Sequence, residues 1–460
     1  MGNYITTCCA SIFLKKKQSL PIDAIFKLPV PVANSSWPRG SGFASEIIDL
    51  DGLQVSQIST FNKVWSTYGG GLVDQGFTMF EPSRIPQGFF MLGCYSQPNN
   101  KPLSGWVLVG KDACANTRNP ILKKPLDFIL VWNSAPVGHV VTTTPGKPSL
   151  DKIRCVRLHF TDQCETNSLI WESRSFRVYD DRPRNRGIEA PGVRIGTFVV
   201  QNGSAKSPSI SCLKNTKSIS KYMPNLQQIN ALLQVYSPTM FLHPSDKYMP
   251  SSVDWARDHN NDGAYWLDLP TDAANKERVK KGNLQSAKSY VHVKPMLGGT
   301  FTGIAIAKVK FISFRLGEIG EHVGDWEYVT LRVSNFSGEL WQVYFSQHSK
   351  GEDNIGIRDD TVKCNIFMDM AAFELVSAKY LDAVIEPFWL NYFRDWGSKI
   401  DYNKNAELKK IEKFVPKNKN CALEKILRSL PCEVLGEETP LDQRVFFFFG
   451  HSFLSSLFFE

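Results

Sequence analysis

Glu327-Tyr-Val-Thr-Leu-Arg-Val-Ser-Asn-Phe-Ser-Gly-Glu-Leu-Trp-Gln-Val-Tyr-Phe345 is the stretch whose reading decides the fold. In its first half Val329, Leu331 and Val333 alternate with Tyr328, Thr330 and Arg332, the two-residue period of a half-buried strand. Asn335-Phe336-Ser337-Gly338 supplies turn chemistry, and behind it Trp341, Val343 and Phe345 alternate against Leu340, Gln342 and Tyr344. The pattern predicts a β-hairpin in which Val329 opposes Phe345.

Just upstream stands His322-Val-Gly-Asp325-Trp326-Glu327. Asp325 and Glu327 share the parity of the apolar face, so the hairpin carries two inward carboxylates side by side. Burying either one ionised costs several kcal/mol unless it is protonated, paired or bound to a metal. Two carboxylates and one neutral imidazole suit a hard divalent cation, so His322, Asp325 and Glu327 form a candidate magnesium or calcium site. The competing reading is ordinary hydrogen bonding: Asp325 as a turn cap, Glu327 paired with Arg332 or another cation, His322 as a loop histidine. His348 returns toward the same end but falls on the face opposite to Glu327 unless a bulge at Gly338 shifts it, and is a lesser candidate.

At 460 residues the chain exceeds one ordinary core, which predicts two globular units plus tails. Aromatic residues reach 12%, and together with 26 Pro and 32 Gly they favour many short strands and turns over long helices. The expected class is mainly β, with two β-rich domains. The net charge of +8 is mild and not gathered into a basic, aromatic-laced groove, which excludes nucleic acid as an expected partner. The 10 cysteines show no C-x-x-C spacing, so neither a zinc ribbon nor a disulfide framework is expected, and the chain reads as reduced and cytoplasmic.

The chain divides into an acylated, basic, flexible arm over 1–45, a β domain over 46–200 with a loose repeat of Trp, Pro-Gly turn and strand, and a polar linker over 201–222. A second β-rich domain with a few helices spans 223–436 and contains the His322 to Glu327 motif; a hydrophobic tail covers 437–460. Helices are expected from Asn225, as cap, to Gln234, and over 371–386 from the spacing of Phe373, Val376, Tyr380, Leu381 and Val384.

The first residues carry a separate signal. Met1-Gly2-Asn3-Tyr4-Ile5-Thr6 fits M-G-x-x-x-[ST], the pattern for myristoylation of Gly2. One myristoyl chain holds a membrane only marginally, and Cys8 and Cys9 as palmitoylation sites and Lys15, Lys16 and Lys17 as a basic cluster supply the second element. Membrane lipids are therefore the expected partners, on the plasma membrane or an endomembrane, alongside trafficking proteins. No G-x-S-x-G, H-E-x-x-H, phosphate-binding loop or Cys/His dyad argues for catalysis. The alternative function is a metal-dependent hydrolase, with Asp325 or Glu327 as base and a cation-bound water as nucleophile.

Phe61-Asn-Lys-Val-Trp65-Ser-Thr-Tyr, Ile85-Pro-Gln-Gly-Phe-Phe-Met-Leu-Gly-Cys-Tyr-Ser-Gln-Pro-Asn-Asn-Lys-Pro-Leu103, Asn261-Asp-Gly-Ala-Tyr-Trp-Leu-Asp-Leu-Pro270 and Gly320-Glu-His-Val-Gly-Asp-Trp-Glu327 together resemble the plant vacuolar protein sorting-associated protein 62 family, also called domain of unknown function 946. The likeness runs from about Phe43 to Leu435, and the family's name implies a role in protein targeting to the vacuole. Against that pattern the chain lacks internal pieces before Pro136, between Trp255 and Asp258, around Ala307, and between Gly351 and Asp353, the last of which holds a His-Gly-His-Ala-Ser-Tyr run in the family. The tail after Glu437 also departs from it. The C-terminal half is faintly similar to the necrosis- and ethylene-inducing-peptide-like cytolysins, which share H-x-x-D-x-E with His322, Asp325 and Glu327. That likeness implies a β-sandwich-like domain and a divalent cation near a membrane site.

Overall fold

Short apolar runs punctuated by Gly and Pro pair into antiparallel sheets along most of the described chain. The computed structural model describes residues 37–40, 42–67, 76–101, 103–113, 120–124, 134–135, 151–172, 176–184, 192–193, 195–196, 198–202, 211–214, 217–242, 249–253, 258–259, 265–266, 281–285, 287–312, 322–347, 350–353, 366–369 and 373–391. Among the described residues strands dominate, helices are few and no sheet closes into a barrel, so the fold is mainly β. Gly2, Cys8, Cys9, Lys15, Lys16, Lys17 and the tail over 437–460 lie outside the described residues.

In the N-terminal half Leu53–Ile58 pairs with Ile48–Leu50 on one side and Val107–Asp112 on the other, and Phe90–Met91 completes the four-stranded sheet. The turn joining the first pair places Asp51 at φ 54° and Gly52 at φ 105°, and the Asp49 carboxylate accepts a 2.6 Å hydrogen bond from the Gly52 amide. Ile48, Leu50, Leu53, Val55 and Leu108 pack there with Leu122, Val156, Val193 and Leu213. Each such side chain, withdrawn from water, stabilises the fold by about 1.5–3 kcal/mol.

A five-stranded sheet follows, made of β1 (Thr161–Glu172), β2 (Phe176–Pro183), β3 (Gly192–Val193), β4 (Phe198–Asn202) and β5 (Ser211–Lys214) in the order β3-β5-β1-β2-β4. β5 lies inside the span read as a linker. Pairing of β1 with β5 sets Asp162 opposite Cys212 and brings Cys164 to a Cα distance of 5.6 Å from Cys212, where the two form a disulfide. The expectation of a reduced chain without a disulfide framework did not foresee this bridge. A separation of 48 residues carries no local spacing signal, and only the strand register makes the two cysteines neighbours.

Helix α1 (Leu226–Tyr236) begins as its sequence directs. The Asn225 side chain accepts from the Gln228 amide at 2.9 Å and the Gln228 side chain accepts from the Asn225 amide at 2.9 Å, a capping box. Its Ile229, Leu232, Leu233 and Tyr236 cover one face of the largest sheet. That sheet contains β6 (Ser289–Met296), β7 (Phe301–Ile312), β8 (His322–Ser334), β9 (Leu340–Gln347), β10 (Lys350–Asp353) and β11 (Phe373–Ser377), in the order β10-β9-β8-β7-β6-β11, with Pro250–Ser251 paired onto β7. Val291, Val293, Ile304, Ile306, Leu331, Val333 and Val343 face α1. Val329 pairs with Phe345, as the alternation predicts. A register shift between Arg332 and Val333 then turns Leu340 into the same core, contrary to simple alternation.

The expected helix over 371–386 is instead β11, parallel to β6 and followed by turns. Phe373, Leu375, Tyr380, Leu381 and Val384 still pack on the α1 core, so the core-facing set was legible but its period misleading. Val376, 1% exposed, falls where the pairing with β6 shifts between Leu375 and Ser377, and that irregularity breaks the alternation that would distinguish the strand from a helix.

The hairpin turn joins the two halves. The Asn335 side chain accepts from the Thr302 hydroxyl at 2.6 Å and donates to the Gly299 carbonyl at 2.8 Å, while Phe336 enters the N-terminal core beside Leu53 and Leu213. Trp37, inside the span read as a flexible arm, is 8% exposed; its indole donates to the Ser337 carbonyl and packs over Gly338, which has φ 75°. A Cβ on Gly338 would stand 2.3 Å from the Trp37 Nε1. Gly338→Ala is therefore expected to destabilise by about 2–3 kcal/mol from left-handed strain and overlap. In a urea double-mutant cycle Trp37→Ala should remove at least about 1 kcal/mol of that penalty; strict additivity of the two changes would show that Trp37 does not close over the turn.

Candidate cation site

The pairing of β8 with β7 positions every residue of the motif. It runs without a break from Phe301 opposite Ser334 to Lys310 opposite Asp325, and then shifts so that Ile312 opposes His322. One extra residue in β8 therefore lies between His322 and Asp325, a bulge at Val323-Gly324, where a glycine weakens regular pairing. Without it the three-residue spacing would set His322 on the face opposite to Asp325. With it, Ile312 is in phase with Lys310, and the register puts His322, Asp325 and Glu327 at positions on one face. The backbone of all three is described; their side chains, and the whole of His348, lie outside the described residues.

The same register reveals what sequence reading missed. Lys308 opposes Glu327 and Lys310 opposes Asp325, and cross-strand partners in an antiparallel ladder share a face with their Cβ atoms about 5 Å apart. Arg332, proposed from sequence as a partner of Glu327, differs from it in parity and donates to the Gln342 side chain on the other face. The available signal was the alternation Ile304, Ile306, Lys308, Lys310, which continues a core-facing stripe into two lysines. Lys308 is 0% exposed, and its ammonium has no hydrogen-bond partner among the described residues. Burial lowers it to about pKa 8 from its ordinary 10.5. Ser289, on the neighbouring strand β6, is also 0% exposed with its hydroxyl unpartnered among the described residues.

The donor set fits a hard dication, because carboxylate oxygens and one imidazole occupy positions on the same face. The two lysines fit the competing reading, in which ammonium groups balance the carboxylates. Lys308 decides part of the choice, since an ammonium engaged by a carboxylate keeps its proton more firmly, whereas burial here favours the neutral amine. Below about pH 8 Lys308 nevertheless keeps its proton and faces the carboxylates as an ammonium; only above that does its loss of charge leave them in need of another cation.

Burial likewise lowers Lys294 on β6 to about 8. For both lysines the folded-state value lies below the unfolded one, so between about pH 8 and 10.5 the unfolded chain binds more protons and stability rises with pH. Below pH 8 both are charged in the folded state and the penalty is complete. Lys308→Met is expected to raise stability at pH 7 by roughly 1–3 kcal/mol and to flatten the rise by one lysine's share, up to about 1.4 kcal/mol per pH unit. Urea unfolding of both proteins from pH 6 to 10.5 measures this, and parallel curves would mean that Lys308 titrates normally.

The sequence profile of the vacuolar protein sorting-associated protein 62 family matches the chain in four consecutive segments, residues 22–137, 134–259, 256–354 and 350–445. Their junctions, at 134–137, 256–259 and 350–354, fall near three of the four places where the sequence was expected to lack family pieces: before Pro136, after Trp255 and around Gly351 to Asp353. The fourth, around Ala307, has no junction; there β7 runs unbroken, with Ala307 buried between Tyr290 and Tyr328. No curated protein matches the chain. With the family profile extending over residues 22–445, the chain belongs to the vacuolar protein sorting-associated protein 62 family, which points to a role related to vacuolar protein sorting.

Proposed function

We propose that the chain acts in vacuolar protein sorting as a non-catalytic, peripheral membrane-associated protein whose β-rich domains bind lipid headgroups or trafficking proteins. Membership of the family over nearly the whole folded chain carries this reading. The lipidation pattern at Gly2, with Cys8 or Cys9 and Lys15 to Lys17 as the second element, supports peripheral attachment. No helix among the described residues is long and apolar enough to cross a membrane.

In this reading His322, Asp325 and Glu327 hold magnesium or calcium as a binding or structural element. The ion would neutralise two adjacent carboxylates and let the strand end order at a lipid or protein surface. A hydrolytic role needs an open coordination position for water and a base free of competing cations. The register partners Lys308 and Lys310 weigh against such a base at Asp325 or Glu327.

Two measurements test the proposal. Gly2→Ala should shift most of the protein from the membrane to the soluble fraction of cells; unchanged partitioning of the variant would remove lipid anchoring. Purified wild-type protein equilibrated with magnesium or calcium should hold about one equivalent more than Asp325→Ala, and equal content in both would eliminate the cation.

A further inference from the structure

A second set of metal-ligating side chains converges on the five-stranded sheet. β1 is the middle strand there, and Cys164 sits where its pairing changes partner: Asp162 opposes Cys212 of β5, and Thr166 opposes Asp181 of β2. Residues two apart on a strand share a face, so Cys164 has Cys212 diagonal to it on one side and Asp181 on the other, all on the same face. The two sulfur atoms and an Asp181 carboxylate oxygen lie within 4.8 Å of one another. Cys212 and Asp181 are each 1% exposed and Cys164 is half-buried, so the trio is closed on one side and reachable on the other.

The electrostatics of this trio differ sharply between redox states. As a disulfide the sulfurs are neutral, and Asp181 is the only ionisable member. Reduced, two thiols stand against a buried carboxylate, and each negative charge raises the cost of ionising the next. A soft divalent cation removes that repulsion. Two thiolates and one carboxylate are a zinc donor set, whose remaining position water can fill. The free cysteines among the described residues do not compete: Cys94 and Cys155 are buried, and burial pushes the Cys94 thiol up to about 12 and the Cys155 thiol in the same direction.

We propose that Cys164, Cys212 and Asp181 form a redox-governed zinc site, filled when the cysteines are reduced and emptied when a peroxide oxidises them to the disulfide. The half-buried Cys164 thiolate attacks a peroxide oxygen; the O–O bond breaks, hydroxide leaves and a sulfenic acid remains. The Cys212 thiolate then attacks that sulfur, the S–O bond breaks and a second hydroxide leaves. Two protons from solvent convert both hydroxides to water, the peroxide having accepted the two electrons of the new S–S bond. Zinc loses both sulfur ligands and dissociates.

Full-length protein kept reduced with a phosphine and equilibrated with zinc should hold one equivalent more than Cys212→Ser, and with cobalt should show a thiolate-to-cobalt charge-transfer absorption that the variant lacks. Peroxide should release that equivalent from the wild type with loss of two thiols per chain. Asp181→Asn, which keeps both cysteines and can still form the disulfide, should bind zinc at least ten-fold more weakly. Equal zinc in reduced wild type and Cys212→Ser would overturn the proposal, as would unchanged zinc affinity in Asp181→Asn should the serine variant not fold.

Discussion

Much of the described fold depends on how the turn Asn335 to Gly338 is held. Its backbone and side chains are bound from three directions: Asn335 to Thr302 and Gly299, Gly338 to the Tyr236 hydroxyl and the Trp37 ring, and Phe336 to the N-terminal core. Backbone pairing adds Ala44 to the Asn335 carbonyl and Glu46 to the Phe336 carbonyl. A one-residue slip of β8 would move Leu331 and Val333 out of the α1 core and Phe336 out of the other. Fixing this one turn therefore fixes the register of the central hairpin, and with it what β8 presents some ten residues away.

Alternation legible in the sequence carried the hairpin and its Val329–Phe345 pairing because one face is apolar and the turn is chemically marked. The Asn225 cap was equally plain, since it needs only Asn225 and Gln228 at the right spacing. What failed was local in cause. The pairing of β11 shifts at Val376, so its apolar residues did not alternate and fell by accident on helical spacing. The Cys164–Cys212 pair and the anchoring of Trp37 at the turn are contacts across 48 and 300 residues, and no local pattern encodes them.

The candidate cation site was half legible. Parity alone put Asp325 and Glu327 together, yet parity also put His322 on the wrong face, and the bulge that corrects it is marked in sequence only by Gly324. The lysines were hidden for a different reason. Lys308 and Lys310 read as ordinary charges at the end of a strand until the β7–β8 register set them against Glu327 and Asp325. A charge in phase with a core stripe marks a residue that must be neutral, paired or bound.

Register also links the two ends of β8 energetically. At the turn, hydrogen bonds and two cores over-determine the pairing. At the far end the same pairing stacks two carboxylates in phase with the core, opposite lysines of which one is already displaced toward its neutral form by burial. The two carboxylates oppose strand pairing there to the extent that protons, the facing ammonium groups or a dication do not balance them. Any ion that binds only the paired strands stabilises them by RT ln(1 + [L]/Kd), about 2.7 kcal/mol at a hundred-fold excess over Kd. That exceeds the net worth of the one or two backbone hydrogen bonds a frayed strand end gives up, each about 1 kcal/mol. For a dication held there, binding and strand closure at His322 to Glu327 would be the same equilibrium, and the turn at the other end would return the same three residues to the same face.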